Sequence, residues 1–98
     1  MAYATISTWK LNEPLKDEDV LWRTMQDKYV PMSKALGAGQ VLVINIAEGE
    51  SAIVSVYPDQ AARDAAEAKI AELRKTAGSE FNATMTGEMR GEVRAQSD

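Results

Sequence analysis

Gln40-Val-Leu-Val-Ile-Asn-Ile-Ala-Glu-Gly-Glu-Ser-Ala-Ile-Val-Ser-Val-Tyr57 decides the fold. Residues 40–48 are the most apolar segment of the chain, and Ser51–Tyr57 is a second β-rich run. Gly49-Glu50 between them reads as a two-residue turn, with glycine where positive φ is tolerated, so the stretch predicts an antiparallel hairpin. On its N-terminal side, Leu21, Met25, Met32 and Leu36 recur at helical spacing, broadened by Val20, Thr24 and Tyr29. Asp17, Glu18 and Asp19 suit the start of that helix, Pro31 predicts a kink or split, and Gly37 a left-handed stop. Residues 3–11 read as a first strand, broken by Asn12-Glu13-Pro14. Beyond the hairpin, Asp59 is an N-cap for an alanine-rich helix expected to end at Gly78, with Arg63 and Glu67 as a surface i,i+4 pair. Residues 83–94 form a last strand weakened by Gly87 and Gly91, and Ala95–Asp98 a frayed tail. The β-α-β-β-α-β order predicts an α+β sandwich, a four-stranded antiparallel sheet with two helices on one face.

At 98 residues, one domain spanning 1–98 is expected. The net charge of −4 without a basic tract argues against nucleic acid and anionic membrane as partners. Cysteine and histidine are both absent. Thiolate or imidazole zinc sites, proximal-His haem ligation and Ser-His or Cys-His nucleophile pairs therefore cannot be built from this chain. Glu13, Asp17, Glu18 and Asp19 do not match a calcium loop, so neither metal nor cofactor is expected. The first residues lack the basic start and apolar run of a signal peptide, and Val41–Ile46 is too short to span a bilayer, giving a cytoplasmic expectation.

Alternation divides each strand into two sets. One is aliphatic: Ala4, Ile6, Leu42, Ile44, Ile46, Val54, Val56, Met85 and Met89. It is expected beneath the helices. The other is mixed: Thr5, Ser7, Trp9, Val41, Val43, Asn45, Ile53, Ser55, Tyr57, Thr84, Thr86 and Glu88. It is expected on the uncovered face, where aromatics among a few polar groups serve pockets and interfaces alike. Val41, Val43, Ile53 and Thr86 are the candidate dimer contacts on that face. Trp9, Asn45, Tyr57, Thr5 and Ser55 are the candidate ligand contacts. Trp9 can stack on a planar ligand or anchor an interface. Asn45 can meet a ligand carbonyl or a cross-strand hydroxyl, and Tyr57 can donate a proton or cap the strand end. Trp22 reads as partial surface packing or a pocket lid, Glu88 with Arg90 as an exposed or interfacial pair or as charge at a pocket mouth, and Met25, Met32, Met85 and Met89 as core fillers.

Trp9-Lys10-Leu11 leading to Pro14, the Tyr-Val-Pro-Met run at 29–32, Tyr57-Pro58-Asp59 before the alanine-rich helix, and Gly87-Glu88…Gly91-Glu92-Val93 resemble the dimeric α/β-barrel superfamily, nearest its antibiotic-biosynthesis monooxygenase-like branch. The resemblance implies ferredoxin-like protomers packed sheet to sheet, each with a lumen able to hold an organic ligand. It also implies, for some members, oxidation of phenolic or quinol-type substrates by O₂ without metal or flavin. The haem-degrading members use an Asn, a Trp and a His, and this chain has no His. The expected function is a monooxygenase-like homodimer binding or oxidising a small aromatic or polyketide-like compound. A non-catalytic ligand-binding or structural dimer is the alternative. An isomerase or lyase would need a proton-transferring residue, for which only Tyr57 and Glu88 offer themselves.

Overall fold

A computed structural model describes residues 1–97, so the last residue of the expected tail lies outside the described residues. Strand β1 (Tyr3–Leu11) leads to helix α1 (Glu18–Thr24), which passes through a π-helical turn (Met25–Tyr29) into α2 (Val30–Ala35). Strands β2 (Gln40–Ala47) and β3 (Glu50–Tyr57) make the hairpin. Helices α3 (Gln60–Ala65) and α4 (Glu67–Phe81) precede β4 (Ala83–Glu92). The sheet runs β2-β3-β1-β4 with every neighbouring pair antiparallel. This is the expected α+β order.

Local chemistry explains the boundaries. The Asp17 carboxylate accepts from Asp19 N at the head of α1, and Asp59 accepts from Ala62 N at the head of α3. Pro31 has no N–H to offer, and the helix adapts with the π turn immediately before it, which is how the expected split is accommodated. The hairpin turns at Glu48-Gly49, one residue earlier than the sequence predicts, with Gly49 at φ 71° and a register shift between Asn45 and Ala47. The alanine-rich segment breaks at Ala66 and then runs past Gly78 to Phe81. It closes on Asn82 in the left-handed conformation (φ 51°), a residue type that tolerates it.

The two faces of the sheet are exchanged relative to expectation. Thr5, Ser7 and Tyr57 are buried under the helices. Val41 packs against the Ala38–Tyr57–Ala66–Ile70 cluster, while Val43 and Ile53 pack against Leu21, Met25 and Tyr29. These three candidate dimer contacts therefore belong to the covered face. The aliphatic set is open: Leu42, Ile44, Ile46 and Met89 are 47%, 42%, 55% and 65% exposed. Ile6 pairs with Val54 on one side and Met89 on the other, so the open set is continuous across the sheet. Thr86, the fourth candidate, sits at an irregularity in β4 and shares a 2.8 Å hydroxyl contact with Thr8, whose parity is that of Ile6. The same irregularity brings Met85 into register with Trp9 instead of with the open set.

Candidate functional site

Helix α4 is laid on the sheet by a stripe at i, i+3 and i+4 spacing: Ala66, Ile70, Leu73, Ala77 and Phe81, with Arg63 one step ahead on α3. Between this stripe, the α1–π turn–α2 arm and the covered sheet face lie two adjoining cavities of about 50 and 60 Å³. Trp9, Met25, Val43, Ile53 and Ala77 line both. The first opens near the hairpin and is almost wholly apolar. The second runs towards α3 and holds the hydroxyl-bearing residues Thr5, Ser7, Ser55 and Tyr57. Four of the five candidate ligand contacts, Trp9, Thr5, Ser55 and Tyr57, thus line one space, on the opposite face from the expected one. Asn45 lines the mouth of the first cavity. It is exposed, and with its amide turned to satisfy both partners it donates to the carbonyls of Ala47 (2.7 Å) and Glu50 (3.1 Å), fastening the hairpin bulge.

Trp9 is held from two sides. Its indole Nε1–H donates to Ser7 Oγ at 2.9 Å, and a Cβ placed on Gly78 would lie 3.5 Å from its ring and 3.1 Å from the carbonyl of Ala83. Gly78 is therefore in the helix for close approach, not to end it. Tyr29 meets Phe81 edge to face at 5.7 Å, and its hydroxyl donates to Glu80 at 2.5 Å, which also accepts from Lys28 at 2.7 Å. Lys28 and Tyr29 hold the Glu80 carboxyl below the usual range, while burial and the Glu80 hydrogen bond push the Tyr29 phenol up.

Arg63 departs furthest from expectation. It is completely buried, not a surface residue. Its Nε donates to Thr5 Oγ1 at 3.0 Å and its Nη1 pairs with Glu67, whose carboxyl the guanidinium holds below the usual range. Its Nη2 has no hydrogen-bond partner among the described residues. Burial pushes the Tyr57 phenol above its ordinary value despite the opposing charges of Arg63 and Arg74, so Tyr57 is a neutral donor at physiological pH. Glu88 pairs with both Arg74 and Arg90, so it is engaged and not a free base. Arg63 was legible as an inward charge, because it heads the 63, 66, 70, 73, 77, 81 stripe. Ser7, beside Trp9, carried no separate signal. Among the described residues no group of three or more acidic side chains gathers as a metal site, and no helix is long and apolar enough to cross a membrane.

No family model and no curated protein matches the chain. Solved structures do. It is similar to the crystal structure of HapK from Hahella chejuensis, with a TM-score of 0.74 at 19% identity over 98% of this chain and 96% of that one. It is also similar to Rv0793 from Mycobacterium tuberculosis, with a TM-score of 0.67 at 15% identity over 100% of both chains. A dimeric ferredoxin-like protein from an uncultured marine organism matches at 0.62 and 19% identity over 98% of each chain. At these identities the likeness is one of fold. It agrees with the resemblance to dimeric α/β-barrel proteins read from the sequence, and the chain has the ferredoxin-like α+β fold.

Proposed function

We propose that residues 1–98 act as one small-molecule-binding, monooxygenase-like domain. In this reading it associates with a second copy through its open sheet face and takes a compact aromatic compound between sheet and helices. The observation that carries the reading is the pair of adjoining cavities behind Trp9, apolar at one end and hydroxyl-lined at the other. Apolar walls with a few placed polar groups are what ligand pockets use. The aliphatic face supports self-association, since fully burying one Leu or Ile contributes about 1.5–3 kcal/mol and several here remain half exposed.

The chemistry that this site could serve is oxygenation of a phenol by O₂. A phenol with a free para carbon takes one oxygen atom there to become the para-quinone, and the other oxygen leaves as water. The phenol supplies all four electrons, so the equation balances without a further reductant. Tyr57 would donate to the substrate oxygen, and the walls would exclude water. A non-catalytic dimeric binding module is the second reading, favoured by the small volume of each cavity as it stands.

Titration of tryptophan emission with phenol and 1-naphthol, beside O₂ uptake, tests this. Saturable quenching in the native chain and its loss in a folded Ala77→Leu variant, which fills both cavities, are expected. O₂ consumption with naphthoquinone formation supports the enzyme, and binding without uptake supports the module. Absence of quenching by either compound contradicts both.

A further inference from the structure

We propose that the ligand of this site is a singly charged aromatic oxyanion, a carboxylate or a phenolate, with Arg63 as its anchor. The inference deepens the cavity reading above and rests on it. The second cavity is lined by two arginines, Arg63 and Arg74, and by no Asp or Glu. Arg63 has no exposed surface, and its Nη2 is closed off from solvent without a partner among the described residues. A buried donor on a charged group is costly to leave unpaired, so a group that supplies an acceptor there is favoured. The other two nitrogens are committed, Nε to Thr5 and Nη1 to Glu67, which fixes the guanidinium plane and leaves Nη2 as the uncommitted donor.

Charge in the surrounding cluster fits one negative charge. Arg63 pairs with Glu67, Glu67 with Arg90, Arg90 with Glu88, and Glu88 with Arg74. Three arginines meet two glutamates, which leaves one positive charge without a counterpart. The partners at the solvent side, Glu67 and Arg90, are 56% and 38% exposed, so the dry end of the cluster is Arg63. Tyr57 and Ser55, in the same lining, offer neutral hydroxyls to a bound oxygen. A dianion would overcharge this cluster, and a neutral ring would leave Nη2 unpaired. A monoanion carried by a planar apolar body satisfies both.

Benzoate and benzamide have nearly the same shape and differ in charge, so their affinities for the native chain, read by tryptophan quenching, isolate the effect. Benzoate is expected to bind at least about tenfold more tightly, the scale of a charge-assisted hydrogen bond. Arg63→Met should remove the difference between benzoate and benzamide, with benzoate losing much more affinity than benzamide, whose neutral carbonyl makes the weaker bond to Nη2. Where that variant does not fold, the native pair alone decides. Bound 4-nitrophenol, whose yellow anion reports its own ionisation, extends the test to phenolates, which predicts a titration displaced to lower pH. Benzoate preference without this displacement assigns the site to carboxylates, and displacement without the preference assigns it to phenolates. Equal binding of benzoate and benzamide with no displacement overturns the anion assignment and leaves the cavity reading intact. No binding by any of the three overturns both.

Discussion

At the residue scale, Arg63 and Thr5 form one unit. Thr5 is 4% exposed, and its hydroxyl is the acceptor for Arg63 Nε. Thr5→Val keeps the shape and strands that N–H, so a loss of about 1–3 kcal/mol in urea unfolding is expected. A change below a few tenths would mean that the bond contributes nothing. Gly78 gives a second expectation. Gly→Ala inside a helix ordinarily gains about 0.5–1 kcal/mol. Here the new methyl would meet a backbone oxygen at 3.1 Å and the Trp9 ring at 3.5 Å. The gain should vanish or reverse, with a shift in tryptophan emission as Trp9 moves. Both residues show how far a sequence can be read. Arg63 on α3 was read as a surface partner of Glu67 although its spacing to Ala66 and Ile70 puts it on the inward stripe, whereas the crowding at Gly78 depends on Trp9, which is distant in the chain, and no local pattern carries it.

Among the elements, strand and helix order was legible throughout, because hydrophobic period and caps are local properties. Boundaries that depend on tertiary neighbours were not. The hairpin turn moved by one residue to accommodate the Asn45–Ala47 irregularity, and α4 ended at Asn82 instead of Gly78. Asp59 was correctly read as the N-cap of α3. Asp59→Ala should cost about 1 kcal/mol of stability by denaturant melting, the usual worth of such a cap. The π turn is tied to α4 through Lys28, Tyr29 and Glu80. Glu80 titrates below its ordinary value in the folded chain, chiefly through its hydrogen bond to Lys28 and then that from Tyr29. For a carboxylate with a depressed folded pKa, the stabilisation is present above the unfolded value. It is lost as pH falls through the folded one. Stability measured from neutral pH down to about pH 3 should therefore fall less steeply in Glu80→Gln than in the native chain. Identical slopes would show that the tie has no energetic consequence.

For the whole molecule, alternation divided β1, β2 and β3 into the right two sets but assigned them to the wrong faces, and in β4 the irregularity opposite Thr8/Trp9 also exchanged Met85 with Thr84 and Thr86 between the sets. Alternation says which side chains share a face, not which face the helices choose. Assigning the aliphatic set to the core follows the ordinary preference for buried aliphatics. That preference is overridden because the covered face carries the polar lining around Arg63, and Leu42, Ile44, Ile46 and Met89 are left outside. The proposed self-association follows from that exchange. Ile44→Glu, on the edge strand β2 and 42% exposed on the open face, should convert a species of twice the chain mass to one of single mass by light scattering, with the fold retained. A native chain already monomeric at micromolar concentration would remove the dimer from the account.

The exchange of faces also sets the most direct test of where the ligand goes. Two-dimensional amide and indole NMR spectra recorded during addition of benzoate report both sides of the sheet in one experiment. The account predicts saturable shifts at the Trp9 indole and the backbone amides of Thr5, Ser55 and Tyr57, with Leu42, Ile44 and Met89 unmoved. Shifts confined to Leu42, Ile44 and Met89 would place the ligand on the open face and contradict it.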